Sequence, residues 1–120
     1  MSDRNTFITH NGREILSVDF SNLRPDEFIK AVEEAKQFLL SLDRGNLLLL
    51  YDVTHSKAGP ETVDALKAAA KDTHPFVKKR AVVGVTGVQR VILHAINMFS
   101  QENMKQFDNL EQAKGWLVAD

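Results

Sequence analysis

An unbroken apolar run, Leu47 to Leu50 followed by Tyr51, stands near the middle of the chain and closes on Asp52. A strand with one wet face alternates apolar and polar residues. Continuous apolarity over about Leu47 to Val53 instead implies burial on both faces, hence an interior strand covered by helices. A polar loop follows, then Gly59-Pro60, then a helix. That order delivers a loop from a buried strand to a helix N-terminus. In open α/β sheets, the crevice at the carboxyl ends of the strands is where ligands and partners are met. The segment from Asn46 to Thr62 is therefore the candidate working edge.

The flanking segments fill in the architecture. Thr6 to Thr9 and Glu14 to Phe20 read as two strands, joined by Asn11-Gly12, a pair suited to the positive φ angles of a tight hairpin. Leu16, Val18 and Phe20 share one face of the second strand, and Ser17 and Asp19 the other, as in an antiparallel edge hairpin. Pro25 opens a helix with Asp26 and Glu27 in its first turn. Phe28, Val32, Ala35, Phe38, Leu39 and Leu42 recur at helical spacing, and Gly45 is the expected stop.

The helix after the central strand starts near Pro60, carries Val63, Leu66 and Ala70 on one face, and ends at His74-Pro75. Ala81 to Val85 is a further buried strand, with Lys78, Lys79 and Arg80 as a solvated charge cluster before it. Thr86 and Gln89 fit a capping box for a helix over Gly87 to Phe99, and Asp108 with Glu111 fits a second. Between these helices Met104 to Phe107 is a short strand. The last helix is expected to bury Leu110, Ala113, Trp116 and Leu117. The order ββαβαβαβα predicts an α/β fold, a mixed sheet of about five strands with helices packed on it, in one domain spanning residues 1–120.

Composition narrows the partners. With 15 basic and 16 acidic residues, the net charge of −1 leaves no electrostatic footprint for nucleic acid. The absence of cysteine excludes disulfides, thiol nucleophiles and thiolate metal sites. No apolar run has the length of a membrane span, and residues 1–5 lack the apolar segment of a signal peptide. The expectation is a cytoplasmic protein.

From Arg80 to Leu117 the chain resembles the SpoIIAA-like family, a branch of the STAS and SEC14-like domains. The resemblance lies in RAVVGVTGVQRVILHAINMF, a short strand, and FDNLEQAKGWL; the helix step reads Leu93-His94-Ala95 and the ending Trp116-Leu117. It extends over nearly the whole chain and implies that family's fold. Members that act as anti-sigma-factor antagonists carry a phosphoacceptor serine at the start of the helix after the central strand. Their pattern is close to Asp-Leu-Ser, a spacer, then Asp-Ser-Ser-Gly. Here Asp52-Val53-Thr54 is similar to the first element, but Pro60-Glu61-Thr62 stands where Asp-Ser-Ser-Gly is expected. Thr62 is the nearest hydroxyl by spacing and Ser56 the other candidate. SEC14-like relatives, which are much longer, bind lipids in an apolar cavity, so the resemblance also implies a small apolar ligand as an alternative.

The residues themselves argue for an interaction module rather than an enzyme. Asp52, Thr54, His55, Ser56 and Lys57 supply an acid, a base and hydroxyls, but catalytic triads draw their groups from separate elements, not from one short loop. Asp52 and Thr54 are expected to bond loop amides. A phosphate on Thr62 would meet free N–H groups and a favourable dipole at the helix N-terminus, although Glu61 adjoins it. The four histidines, His10, His55, His74 and His94, show no His-x-x-x-His spacing, so no metal or other cofactor is expected. Gly84-Val85-Thr86-Gly87 lacks both GxGxxG and a Walker lysine. Leu93, His94 and Met98 fall outside the main stripe of their helix and form the candidate interface, for a protein partner or a second copy in a homodimer.

Overall fold

The computed structural model describes residues 4–86, 90 and 104–119. Five strands form one sheet in sequential order: β1 (Asn5–His10), β2 (Arg13–Asp19), β3 (Leu47–Asp52), β4 (Val77–Val83) and β5 (Met104–Phe107). β1 and β2 are antiparallel, and β2 through β5 are parallel. The sheet is therefore mixed, as the pattern of strands and helices predicts. Asn11 (φ 50°) and Gly12 (φ 77°) make the hairpin turn in the positive-φ geometry anticipated for that pair. Of the two hairpin strands β1 lies at an edge of the sheet, and β2 lies one strand in, where Ile15 is also fully buried on the side assigned to wetter residues.

The apolar run behaves as two interleaved sets. Leu47 and Leu49 belong to one core and Leu48 and Leu50 to the other. Helices α1 (Pro25–Ser41) and α2 (Pro60–Thr73) cover the first core. The sheet grows in one direction, and right-handed crossovers then place successive helices on the same face. Helix α3 (Leu110–Val118) follows β5 and does not connect two of the described strands, so that rule does not bind it. It covers the opposite face, with Ala113 and Leu117 fully buried.

Several boundaries differ from those the sequence suggests. Helix α1 ends at Ser41, and Asp43, at φ 50°, takes the left-handed position beyond it, so Gly45 is not the stop. The N-cap of α3 is Asn109, whose Oδ1 accepts from the Gln112 amide at 2.9 Å, rather than Asp108. Leu110 is 44% exposed, not buried, because it stands at the first residue of that helix. The helix expected over Gly87 to Phe99, its capping box at Gln89, and the candidate interface of Leu93, His94 and Met98 lie outside the described residues.

The largest correction concerns Lys78, Lys79 and Arg80. Strand β4 begins at Val77, so all three lie within it, paired with β3 around a bulge at Leu47/Leu48. Strand alternation sends Lys79 and Arg80 to opposite faces. Lys79 Nζ donates to the carbonyls of Trp116 (2.9 Å) and Ala119 (2.7 Å) at the end of α3. Arg80, only 3% exposed, reaches the end of α2, where Nη2 donates to Thr73 Oγ1 at 2.7 Å and to the Ala70 carbonyl at 3.3 Å. Each cation meets the carbonyl end of a helix, where the helix dipole favours positive charge.

Candidate functional site

Strands β2, β3 and β4 run parallel and deliver three loops to one rim. Strands β2 and β3 end in the same local device. Asp19 Oδ1 accepts from the Ser21 amide (2.8 Å) and hydroxyl (2.5 Å), and Asp52 Oδ1 accepts from the Thr54 amide (3.0 Å) and hydroxyl (2.5 Å). Asp19 and Asp52 are register partners on neighbouring strands. A carboxylate two residues before a hydroxyl supplies the acceptor that turns the chain sharply out of the sheet. The repeat Asp-Phe-Ser and Asp-Val-Thr is visible in the sequence, but only the pairing of the strands sets the two turns side by side.

Partial burial works against the charge of Asp19. The Ser21 hydroxyl and amide, together with the Arg4 guanidinium 3.6 Å away, outweigh it and hold the carboxyl below its usual pKa.

The loop beyond Asp52 is pinned on both sides. Its backbone bonds run from Phe20 N to the Asp52 carbonyl (2.8 Å), Asn22 N to Thr54 O (2.9 Å), Lys57 N to Leu23 O (2.9 Å) and Val53 N to Val83 O (3.0 Å). Ser56 is 4% exposed and adds a side-chain tie: its hydroxyl donates to the Phe20 carbonyl and accepts from the Leu23 amide at 2.9 Å. On the other side Gly84, at φ 86°, lies against Thr54, and a Cβ there would fall 2.7 Å from the Thr54 nitrogen. Only glycine combines that φ with that approach.

The sequence candidates divide clearly by exposure. Thr62 is fully buried; its Oγ1 accepts from the Gly59 amide (3.1 Å) and donates to the Pro25 carbonyl (3.2 Å), tying the start of α2 to the start of α1. Ser56 is buried as described. Asp52 and Thr54 are half-buried and bonded to one another, whereas His55 and Lys57 are exposed. His55 adopts φ 60°, a left-handed conformation at the apex of the turn. Among the described residues, no group of three or more His, Asp or Glu could hold a metal ion, and no helix is long and apolar enough to cross a membrane.

A second feature lies beneath the rim. Between the sheet and helices α1 and α2 is a cavity of about 90 Å³. Its walls include Val18, Val32, Leu66 and Val82, with Tyr51 and Arg80 among the polar contributors. Tyr51 stacks on Phe20 at 5.6 Å between centroids, and its hydroxyl accepts from Arg80 Nη1 at 2.6 Å. A buried arginine in this wall is not foreseeable from a Lys-Lys-Arg run; the available signal was its place one residue before Ala81, inside the period-two alternation of the strand.

A family model described as SpoIIAA-like matches residues 16–118. No curated protein matches the chain. Among solved structures, the chain is similar to an uncharacterised protein from the DUF3478 family with a SpoIIAA-like fold, from Shewanella loihica PV-4. The TM-score is 0.70 at 15% identity, over 95% of this chain and 92% of that one. At that identity the likeness speaks to fold alone.

Proposed function

This chain belongs to the SpoIIAA-like family, and from that premise we propose that it is a non-catalytic regulatory module, working as anti-sigma-factor antagonists do by presenting its rim to a protein partner. The observation that carries the reading is the pinned loop. Ser56, Thr62 and the backbone bonds hold residues 53–59 in one conformation while His55 and Lys57 face solvent. A surface ordered in advance loses little entropy when a partner docks. Asp52, Thr54, His55 and Lys57 make the contact surface; Ser56 and Thr62 shape it.

The experiment compares partners cross-linked in cells to the wild-type protein and to a His55→Ala/Lys57→Glu variant. A partner captured by the first and lost with the second supports the reading. A partner retained by both places the contact elsewhere and removes this role from the rim. A twofold homodimer belongs to the same proposal, and a purely monomeric sedimentation profile at micromolar concentration would remove it.

The cavity favours a second reading, a binder of small apolar ligands. Its lining is almost wholly apolar, the character of small-molecule sites. Native mass spectrometry of protein purified from cells tests it: a bound small-molecule mass supports it, and a clean protein mass counts against it.

A further inference from the structure

The homodimer proposed above needs a contact face, and the outer edge of β1 supplies one. Natural sheets blunt their edges with charge, proline, bulges or very short strands. Strand β5, at the far end of the sheet, is four residues long and carries Lys105. Strand β1 has six residues and holds no proline, lysine, arginine or carboxylate, and its ladder to β2 runs without a bulge. Among the described residues it pairs with β2 alone.

The hairpin register fixes which backbone groups of β1 face outward. Antiparallel partners alternate between pairs that exchange both ladder bonds and pairs that exchange none. The Asp19 amide donates to the Arg4 carbonyl at 2.8 Å, so Arg4 and Asp19 are a bonded pair, and Thr6, Ile8 and His10 follow in the same phase. The N–H and C=O groups of Asn5, Phe7 and Thr9 therefore point away from β2. These residues are placed symmetrically about Phe7.

We propose that two copies of this chain join β1 to β1 in antiparallel register, about a twofold axis through Phe7, to make one continuous sheet. Asn5 then stands opposite the second copy's Thr9, and Phe7 opposite its own equivalent, each pair exchanging both ladder bonds. The outward set is its own complement under the twofold, which favours a second copy over an extended peptide from another protein. The strand holds no side chain that would select a charged peptide, and no like charges meet across these pairs. Asn5 Oδ1 is buried without a hydrogen-bond partner among the described residues, and the second copy's Thr9 brings an exposed hydroxyl to the same face. Phe7 is half-buried, with Phe38 at 6.2 Å between centroids and the Arg44 guanidinium 4.8 Å from its ring. Arg44 is itself paired with Glu14 at 2.7 Å, so the two Phe7 rings meet without bringing an uncompensated cation to the axis.

The test follows backbone amide exchange by NMR across a series of protein concentrations, with sedimentation velocity on the same samples. The outward N–H groups of Phe7 and Thr9 should exchange at least ~10-fold more slowly once the dimer forms, whereas those of Thr6 and Ile8, already bonded to β2, should not respond to concentration. Thr9→Pro removes one outward donor from each copy, at an exposed edge position that proline tolerates. It should weaken dimerisation by at least ~10-fold, and Thr9→Val, which keeps the N–H, should weaken it less. A dimer whose Phe7 and Thr9 amides ignore concentration overturns the edge contact and leaves the homodimer standing on another face. A monomer throughout overturns both and leaves the edge to an extended strand from another protein. Should Thr9→Pro fail to fold, the wild-type exchange series still decides.

Discussion

Lys79 and Arg80 are adjacent in β4, yet they close the C-terminal ends of two helices on opposite sides of the sheet. The two are not equivalent. Lys79 is half-buried at the margin, where water can replace what it supplies; Arg80 is inside. Removing the guanidinium takes a donor from the buried Ala70 carbonyl and from the Thr73 and Tyr51 hydroxyls. Arg80→Met is therefore expected to cost about 2–4 kcal/mol of folding stability. Lys79→Met loses the ammonium over the Trp116 ring and its two carbonyl bonds at this half-exposed margin, and is expected to cost less than ~1 kcal/mol. Urea unfolding of both variants checks this, and equal losses would contradict the account.

Three glycines provide an internal comparison. Gly84 combines φ 86° with Thr54 backbone at 2.7 Å from a would-be Cβ; Gly12 has φ 77° but open space; Gly45 has neither constraint. Alanine is expected to cost more than ~2 kcal/mol at position 84, about 1 kcal/mol at 12, and nothing or a slight gain at 45. The ranking by thermal unfolding is the measurement. In Gly84→Ala the Thr54 amide signal should also move, since the clash falls on its nitrogen.

The hydroxyls of the rim should differ as phosphate acceptors. Ser56 and Thr62 are buried and already bridge a donor and an acceptor. Thr54 is half-buried and held by Asp52 alone among its side-chain contacts described above. Mass mapping after incubation with a kinase-competent lysate is expected to place any phosphate on Thr54. Stoichiometric phosphate on Thr62 of the folded protein would show that the α1–α2 tie opens in the native state. Ser56→Ala should cost about 1–3 kcal/mol, because it leaves the buried Leu23 amide without its acceptor.

Asp19 gives a pH signature. Its pKa is lowered in the folded state from an ordinary 3.8, against the effect of partial burial and through Ser21 and Arg4. A carboxylate with a depressed folded pKa contributes stability above its unfolded pKa, and that contribution fades as pH falls through the folded value. Wild type should thus exceed Asp19→Asn in stability at neutral pH, with the gap closing as the pH drops below 3.8. A gap independent of pH would mean that the carboxylate charge plays no part.

What was legible in advance was local. Apolarity on every residue from Leu47 to Leu50 could only be satisfied by burial on two faces, and Asn11-Gly12 could only turn one way. Helical spacing from Phe28 to Leu39 placed one stripe inward, and Asp52 with Thr54 formed the turn their chemistry suggests. These are decided within a few residues of chain, by periodicity and backbone preference.

The tertiary structure decided the rest, because each outcome depends on a partner remote in sequence. Ser56 is a staple because Phe20 and Leu23 come to meet it, and Thr62 is sealed because Pro25 lies beside it. Arg80 looks like a surface cation until α2 lays its last carbonyls and Thr73 over that strand, supplying the hydrogen bonds that make burial of the charge tolerable. Residue type set which groups need partners, and the packing of distant segments set who those partners are.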